Sequence, residues 1–214
     1  MAQTWHAAIE TPDGTELWQV AGDDATRVAN GKPDLTISDA TAAQTFPCDL
    51  KGTAPLHQTS PQGHLPARAR LLTLGAVADS LNWDGIVLVL LPDSAHWTHV
   101  SAGEAISTLG TLTPALARQL GAEGHLDQAA MDEVMTRPER LTAALFARPD
   151  MALSHLVGAD LAAAKRWWLG QQIRVVGDGA LAQAFVDALM TQGAPVMQIG
   201  REAATSRGLV SLAH

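Results

Sequence analysis

Apolar and polar positions divide this chain into short strands at its start, a polar connection, and a longer run of strands and helices beyond residue 85. Residues 5–10 and 16–20 flank Thr11-Pro12-Asp13-Gly14, whose Asp-Gly step suits a tight hairpin, so two antiparallel strands are expected to open the fold. Residues 31–66 are rich in Pro, Thr, Gly and Ser, with only short apolar patches such as Leu35-Thr36-Ile37. That is the composition of a weakly structured connection without a core element. Leu71, Leu72, Leu74, Val77, Ala78 and Leu81 then recur at helical spacing and predict an amphipathic helix over 65–81.

Further on, the apolar run 86–91 predicts a buried strand, Pro92-Asp93-Ser94-Ala95 a turn, 97–100 a returning strand, and 105–109 a third strand. Helical stretches follow at 113–120, 127–135 and 138–147, with one long helix over about 150–169. Strand 173–176, helix 180–192, strand 196–199 and helix 202–213 complete the order. The expected fold class is α/β in two parts: a reduced lobe over 1–84 and a lobe over 85–214 with the order β-β-β-α-β-α-β-α. The three antiparallel strands should share one mixed sheet with the strands at Ile173 and Val196.

Composition narrows the partners. A net charge of −8, with no basic run longer than Lys165-Arg166, argues against nucleic acid, which demands a phosphate-neutralising surface. The start, Met1 to His6, has neither a charged nor an apolar leader segment, and the longest apolar run is far too short to span a bilayer; no membrane and a cytoplasmic location are expected. A lone cysteine, Cys48, excludes an internal disulfide and a cysteine-based metal site, and reads as a small buried hydrophobe.

Candidate chemistry gathers at two turns. Strand 173–176 runs into Gly177-Asp178-Gly179 and then Ala180, the start of a helix. A glycine turn there presents backbone N–H groups to a phosphate, so Gly177, Asp178, Gly179 and Ala180 are candidate nucleotide-binding residues. Gly177-x-Gly179-x-x-Ala182 also fits a Rossmann fingerprint, with Arg201 after the next strand. Too little chain follows it for a Rossmann sheet. At the other turn Asp93 has the chemistry of a general base or Mg²⁺ ligand, and equally that of an ordinary turn residue. His96 and His99 would face opposite sides of a strand and could not share one metal ion, and no metal site is expected. Trp167-Trp168 reads as a core or oligomer cap.

The strand and helix order is that of the actin-like (ribonuclease H-like) superfamily, and the residues resemble its 2-dehydro-3-deoxygalactonokinase family over roughly 56–214. Three stretches carry the resemblance: Val87 to Val100, with Leu90-Leu91-Pro92-Asp93-Ser94-Ala95-His96-Trp97-Thr98-His99-Val100; His155-Leu156-Val157-Gly158-Ala159-Asp160; and the Gly177-Asp178-Gly179-Ala180 turn with the closing run from Ala203 to His214. The resemblance implies a sugar-acid kinase with ATP and Mg²⁺, with Ser94 and Gly158 added to the nucleotide-binding set and Asp93 as catalytic residue. The family opens with a strand ending in Asp-Trp-Gly-Thr-Ser, which cradles phosphates. No such run stands here, so the opening hairpin is expected to be the family's second and third strands. At the second phosphate turn Asp93-Ser94-Ala95-His96-Trp97 replaces Gly-Thr-His-Ser-Lys, and the lysine charge is lost.

Two functions follow from this reading. One is ATP-dependent phosphorylation of a 2-keto-3-deoxy sugar acid in galactonate catabolism. The other is a catalytically silent relative that binds a ligand or partner, with a homodimer left open.

Overall fold

A computed structural model describes residues 4–80 and 82–213. Leu81 of the expected helix, His214 and the first three residues of the start lie outside the described residues. Packing groups the chain into two compact units that interleave along the sequence: residues 1–84, 98–108 and 199–214 in one, residues 85–97 and 109–198 in the other.

In the first unit, β1 (Thr4–Thr11) and β2 (Gly14–Ala21) form the expected hairpin around Pro12-Asp13, in register from Thr4↔Ala21 to Thr11↔Gly14. Two elements follow where none was expected: β3 (Asp24–Val28) pairs antiparallel with β2, and β4 (Leu35–Ile37) pairs parallel with β1, giving the order β3-β2-β1-β4. Its core joins Ala7, Ile9, Trp18, Val20 and Ile37 to Leu71 and Leu209.

The region 31–66 is not a coreless connection. It folds into β4, β5 (Gln44–Thr45), β6 (Cys48–Asp49), β7 (Leu56–Thr59) and β8 (Gln62–Leu65), and Ile37, Leu50, Leu56 and Leu65 are fully buried. Strands this short carry too few alternations to register as a pattern, and the stretch 44–54 is ordered by a helix residue. Helix α1 (Ala67–Val77) presents Arg70, whose buried guanidinium donates to the carbonyls of Leu50 (3.1 Å), Ala54 (2.9 Å) and Asp49 (2.5 Å) and to Gln44 Oε1 (2.7 Å). The same guanidinium lies 3.7 Å from Cys48 Sγ, and Cys48 is half-buried. Nearly every residue of α1 is buried, so it is enclosed rather than amphipathic, and its few apolar gaps are filled by Arg70 and Thr73. Gly75 and Gly208 let α1 meet α8 (Arg201–Leu212) backbone to backbone: a Cβ at Gly75 would stand 1.8 Å from the Ala204 oxygen.

The six-stranded sheet runs β13-β12-β9-β10-β11-β6, where β9 is Asp84–Leu90, β10 Ala95–Ser101, β11 Glu104–Thr111, β12 Ile173–Val176 and β13 Val196–Ile199. The expected union of the three strands after residue 84 with those at Ile173 and Val196 is therefore observed. β12 pairs parallel with β9, from Ile173↔Ile86 to Val176↔Val89. Lying inside a mixed sheet, β12 is not the first strand of a parallel Rossmann sheet.

This placement also corrects the reading of the opening hairpin. In both sheets the first strand of a hairpin run pairs in parallel with a later strand: β1 with β4, β9 with β12. β1 and β2 are thus the first and second strands of their sheet, not the second and third. Both hairpins turn on Pro-Asp, as Pro12-Asp13 and Pro92-Asp93. β1 runs into Pro12-Asp13-Gly14 instead of an Asp-Trp-Gly-Thr-Ser run.

The second unit packs α2 (Thr113–Gln119), α3 (Gln128–Thr136), α4 (Leu141–Ala147), α5 (Ala152–Ala163), α6 (Lys165–Trp168) and α7 (Gly179–Thr191) around a core of Leu88, Trp97, Met131, Leu161, Val175, Phe185 and Leu189. The long helix expected over 150–169 is broken at Ala164, where the chain tightens and Trp167 and Trp168 turn into the core, the latter donating from Nε1 to the Leu161 oxygen at 2.8 Å. Among the described residues no helix is long and apolar enough to cross a membrane.

His155 is buried on α5, and neither ring nitrogen has a hydrogen-bond partner. Burial pushes its pKa below the usual histidine range and Arg148 adds to this, while Glu133, Asp150 and Asp127 oppose it. The folded state then takes up the proton less readily than the unfolded chain, whose histidine titrates near ~6.5. The stabilisation is complete above that pH and declines as pH falls through it. The urea midpoint should drop between pH 8 and pH 5.5, and His155→Leu should flatten that slope; an unchanged slope in the variant would assign it to other groups.

Candidate active site

The parallel register of β9 and β12 brings the two sequence-selected turns to one edge of the sheet. Val176 stands opposite Val89, so the chain leaves β12 at Gly177 and β9 at Leu91 side by side, roughly 5 Å apart as neighbouring strands are. A Cβ at Gly177 would lie 3.2 Å from Leu90 Cβ and from Ala182 Cβ, so glycine lets the two exits and the start of α7 pack together. Crevices at the carboxyl ends of parallel strands are where open α/β sheets bind ligands.

Gly179 is the first residue of α7, has φ +78°, and would point a Cβ into space with nothing within 4 Å. Asp178 occupies the N-cap in an extended conformation without a side-chain capping bond. The first N–H groups of this 13-residue helix therefore face an exposed surface around Asp178, Gly179 and Ala180. That arrangement suits an anion.

The neighbouring turn is closed by Leu91 N–H donating to the Ser94 oxygen at 2.9 Å. Ser94 Oγ donates to Asp93 Oδ1 at 3.2 Å and stands 2.9 Å from His96 Nε2. The hydroxyl, not the imidazole, is in the middle, so the group is not a serine-nucleophile triad. It does orient an exposed carboxylate. Arg118 on α2 donates to the Pro92 oxygen at 2.8 Å and brings to this turn a positive charge that sequence reasoning missed, since nothing in a lone arginine on a short helix points to a strand exit.

Asp160 anchors the same end of the strands. Buried on α5, it accepts from Trp97 Nε1 at 2.8 Å and Thr111 Oγ1 at 2.6 Å, tying β10 and β11 to the helix. Burial pushes its pKa up, against the pull of hydrogen bonds from Thr111, Thr113 and Trp97.

The structure thus brings together Asp93, Ser94, Gly177, Asp178, Gly179 and Ala180. Gly158 is placed elsewhere, on the face of α5 that packs α3, where a Cβ would stand 2.4 Å from the Met131 oxygen. His96 and His99 take different partners, Ser94 and Asp84. Among the described residues no group of three or more His, Cys, Asp or Glu side chains converges as metal ligands do.

The first sheet offers a contrast. At the matching edge Glu10 and Ser38 are hydrogen-bonded to each other, and Asp39 Oδ1 accepts from Ala67 N–H, the first residue of α1, at 2.7 Å. The polar groups at that edge are paired within the unit, although Glu10 and Asp39 stay exposed.

Residues 115–212, a little under half of the chain, match the family described as 2-keto-3-deoxy-galactonokinase. Among solved structures, the chain is similar to a candidate 2-dehydro-3-deoxygalactonokinase protein from Sinorhizobium meliloti, with a TM-score of 0.78, 14% identity, and 98% of each chain covered. It is also similar, at a TM-score of 0.46 and 9% identity over 97% of this chain and 92% of the other, to the activator of 2-hydroxyisocaproyl-CoA dehydratase from Clostridium difficile. A third is the ethanolamine utilization protein EutJ from Carboxydothermus hydrogenoformans, at a TM-score of 0.47 and 11% identity over 100% and 91% of the two chains. No curated protein matches. The actin-like α/β fold and the family resemblance read from the residues are both borne out.

Proposed function

Because residues 115–212 carry a 2-keto-3-deoxy-galactonokinase family domain, we propose that this chain binds ATP and transfers its terminal phosphoryl group, slowly, to a hydroxyl of a 2-keto-3-deoxy sugar acid. One observation carries the reading: the Asp93-Ser94 turn and the open start of α7 leave adjacent parallel strands at one edge. In this reading the backbone of Gly177, Asp178, Gly179 and Ala180 holds phosphate oxygens, and Arg118 supplies the cation that the turn itself lacks. Asp93, held by Ser94, either takes the proton of the attacking hydroxyl or holds Mg²⁺. A carboxylate in that position suits the metal. When bound, Mg²⁺ would neutralise charge on the phosphates. Gly158 supports the site only through the packing of α5 on α3.

The second reading, a silent relative that binds a ligand or a partner, such as a second copy in a homodimer, draws support from the internal pairing of Glu10 with Ser38 and of Asp39 with the Ala67 N–H at the matching edge of the first sheet. Calorimetric titration of ATP·Mg²⁺, with and without 2-keto-3-deoxygalactonate, separates the two. Sugar-dependent enhancement of ATP binding supports the kinase; binding of neither compound removes the kinase and leaves only a partner-binding role, which sedimentation of the chain as a monomer would weaken.

Gly179→Ala locates the site. At φ +78° an alanine is strained by about 1–2 kcal/mol, and a branched residue by more, but its methyl group meets no protein atom. Stability should fall by no more than that, while ATP affinity falls further because the methyl group stands where phosphate would approach. A variant that keeps its ATP affinity would take this turn out of the site.

A further inference from the structure

Between Arg137 and Arg148 the second unit carries a weakly held segment, the 3-10 turn Pro138–Arg140 followed by α4, which packs on α5. Ala144 is its one buried residue, and Phe146 is 91% exposed. Arg140 ties the segment to Glu133 of α3 by an exposed ion pair at 3.4 Å, a contact that contributes little in water. Arg137 and Arg148 each precede a proline and hold nearly the same backbone angles, φ −136° with ψ 71° and φ −139° with ψ 73°. They are the two points at which the segment can pivot as one piece.

On α5 stands His155, 1% exposed, and among the described residues neither ring nitrogen has a hydrogen-bond partner. The charges that act on the ring are Glu133 of α3, Arg148 at the second pivot, Asp150 just beyond it, and Asp127 at the cap of α3. Glu133 also holds Arg140, so the two ends of the segment bracket the ring. α4 itself has no titratable side chain. On the other elements packed against α5, Arg118 of α2 holds the Pro92 oxygen, Arg166 of α6 lies over Trp167, and Asp187 of α7 accepts from Gln183; neither they nor Lys165 act on the ring. Burial, aided by Arg148, keeps the imidazole neutral, because a cation whose two N–H groups lack acceptors is costly in the interior. Three carboxylates favour the cation once water reaches it.

We propose that residues 138–147 form an acid-sensitive cover, which pivots at Arg137 and Arg148 away from α5 when His155 takes up a proton. Closed, the cover holds a neutral ring. Open, it leaves an imidazolium in water beside Glu133 and Asp150. The closed ring takes up its proton less readily than an exposed histidine, so opening is favoured as pH falls through about 6.5. None of the residues of the proposed phosphate-binding edge takes part.

Hydrogen exchange of the full chain, followed by mass spectrometry at pH 7.5 and pH 5.5 and scaled to the intrinsic exchange rate at each pH, reads the cover directly. Protection of the amides at 141–148 should fall about tenfold between the two, the gain from one histidine that binds its proton near its ordinary value only when open. At both pH values these amides should exchange faster than those of β9 and β12 and respond little to low urea, since the opening is local. His155→Leu, and His155→Met as a second neutral filling of the same space, should abolish the pH-dependent loss. His125→Gln, which removes an exposed histidine of the same unit, should keep it. The proposal is overturned by protection that does not change with pH, by the same loss in a folded His155 variant, or by its disappearance in His125→Gln. Exchange of 141–148 at the rate of β9 and β12 also overturns it, because the ring would then be reached only by global unfolding.

Discussion

In a coupled ADP-release assay with ATP·Mg²⁺ and 2-keto-3-deoxygalactonate, turnover should fall well below about 1 s⁻¹, the lower end for ordinary kinases. Asp93→Asn should then remove roughly 10²-fold or more of the remaining rate, the usual contribution of a positioned acid–base group. Phosphoryl transfer depends on positioning and on charge stabilisation around the phosphates, and each well-placed donor contributes about 10²–10³-fold. Here the backbone of the 177–180 turn, Asp93 and Arg118 supply what the second unit can offer. At the matching edge of the first sheet Glu10, Ser38 and Asp39 are engaged with partners inside the unit. A measured rate of about 1 s⁻¹ or faster that survives Asp93→Asn would show that this turn is not the catalytic carboxylate and that the slow-kinase reading is wrong.

Arg70→Met should destabilise the protein by about 3–5 kcal/mol, the range for removing one partner of a buried charged network. The methionine fills similar volume, so the loss is chiefly polar. The carbonyls of Asp49, Leu50 and Ala54 and the amide of Gln44 would lose their shared donor inside the unit. Burial lowers the Arg70 pKa, with Cys48 and Asp49 pulling it back up, yet arginine remains protonated, and so the charge cannot be shed to relieve the burial. Gly52 belongs to the same arrangement, because a Cβ there would stand 2.2 Å from the guanidinium. Urea unfolding followed by circular dichroism measures the effect; a loss under 1 kcal/mol would mean that the loop holds without the arginine.

The long, strongly patterned elements were legible in the residues. Residues 86–111 and 173–199 alternate, turn and repeat clearly enough that their union in one mixed sheet could be expected, and it is observed. The Gly177–Ala180 turn was visible as a candidate anion site because a strand, a glycine pair and a helix follow one another locally. The family resemblance rested on the same local stretches.

What the sequence left open depends on contacts between distant residues. The strands at 44–65 are too short to show periodicity; residues 44–54 gather around a single arginine on α1, and 56–65 is held by its own pairing and by Gln58 against Thr108. Gly158 looked like a ligand residue, but the α3–α5 contact uses its bare backbone. Arg118 and Asp160 gained their roles only when helices from later in the chain packed against the ends of β9, β10 and β11. The opening hairpin's identity as first and second strand was settled by β4, since strand order is a property of pairing, which composition does not record. By itself the sequence determined local conformation and hydrophobic pattern. The tertiary structure decided which buried polar groups found partners, because an unpaired charge or carbonyl in the interior is destabilising wherever the chain happens to place it.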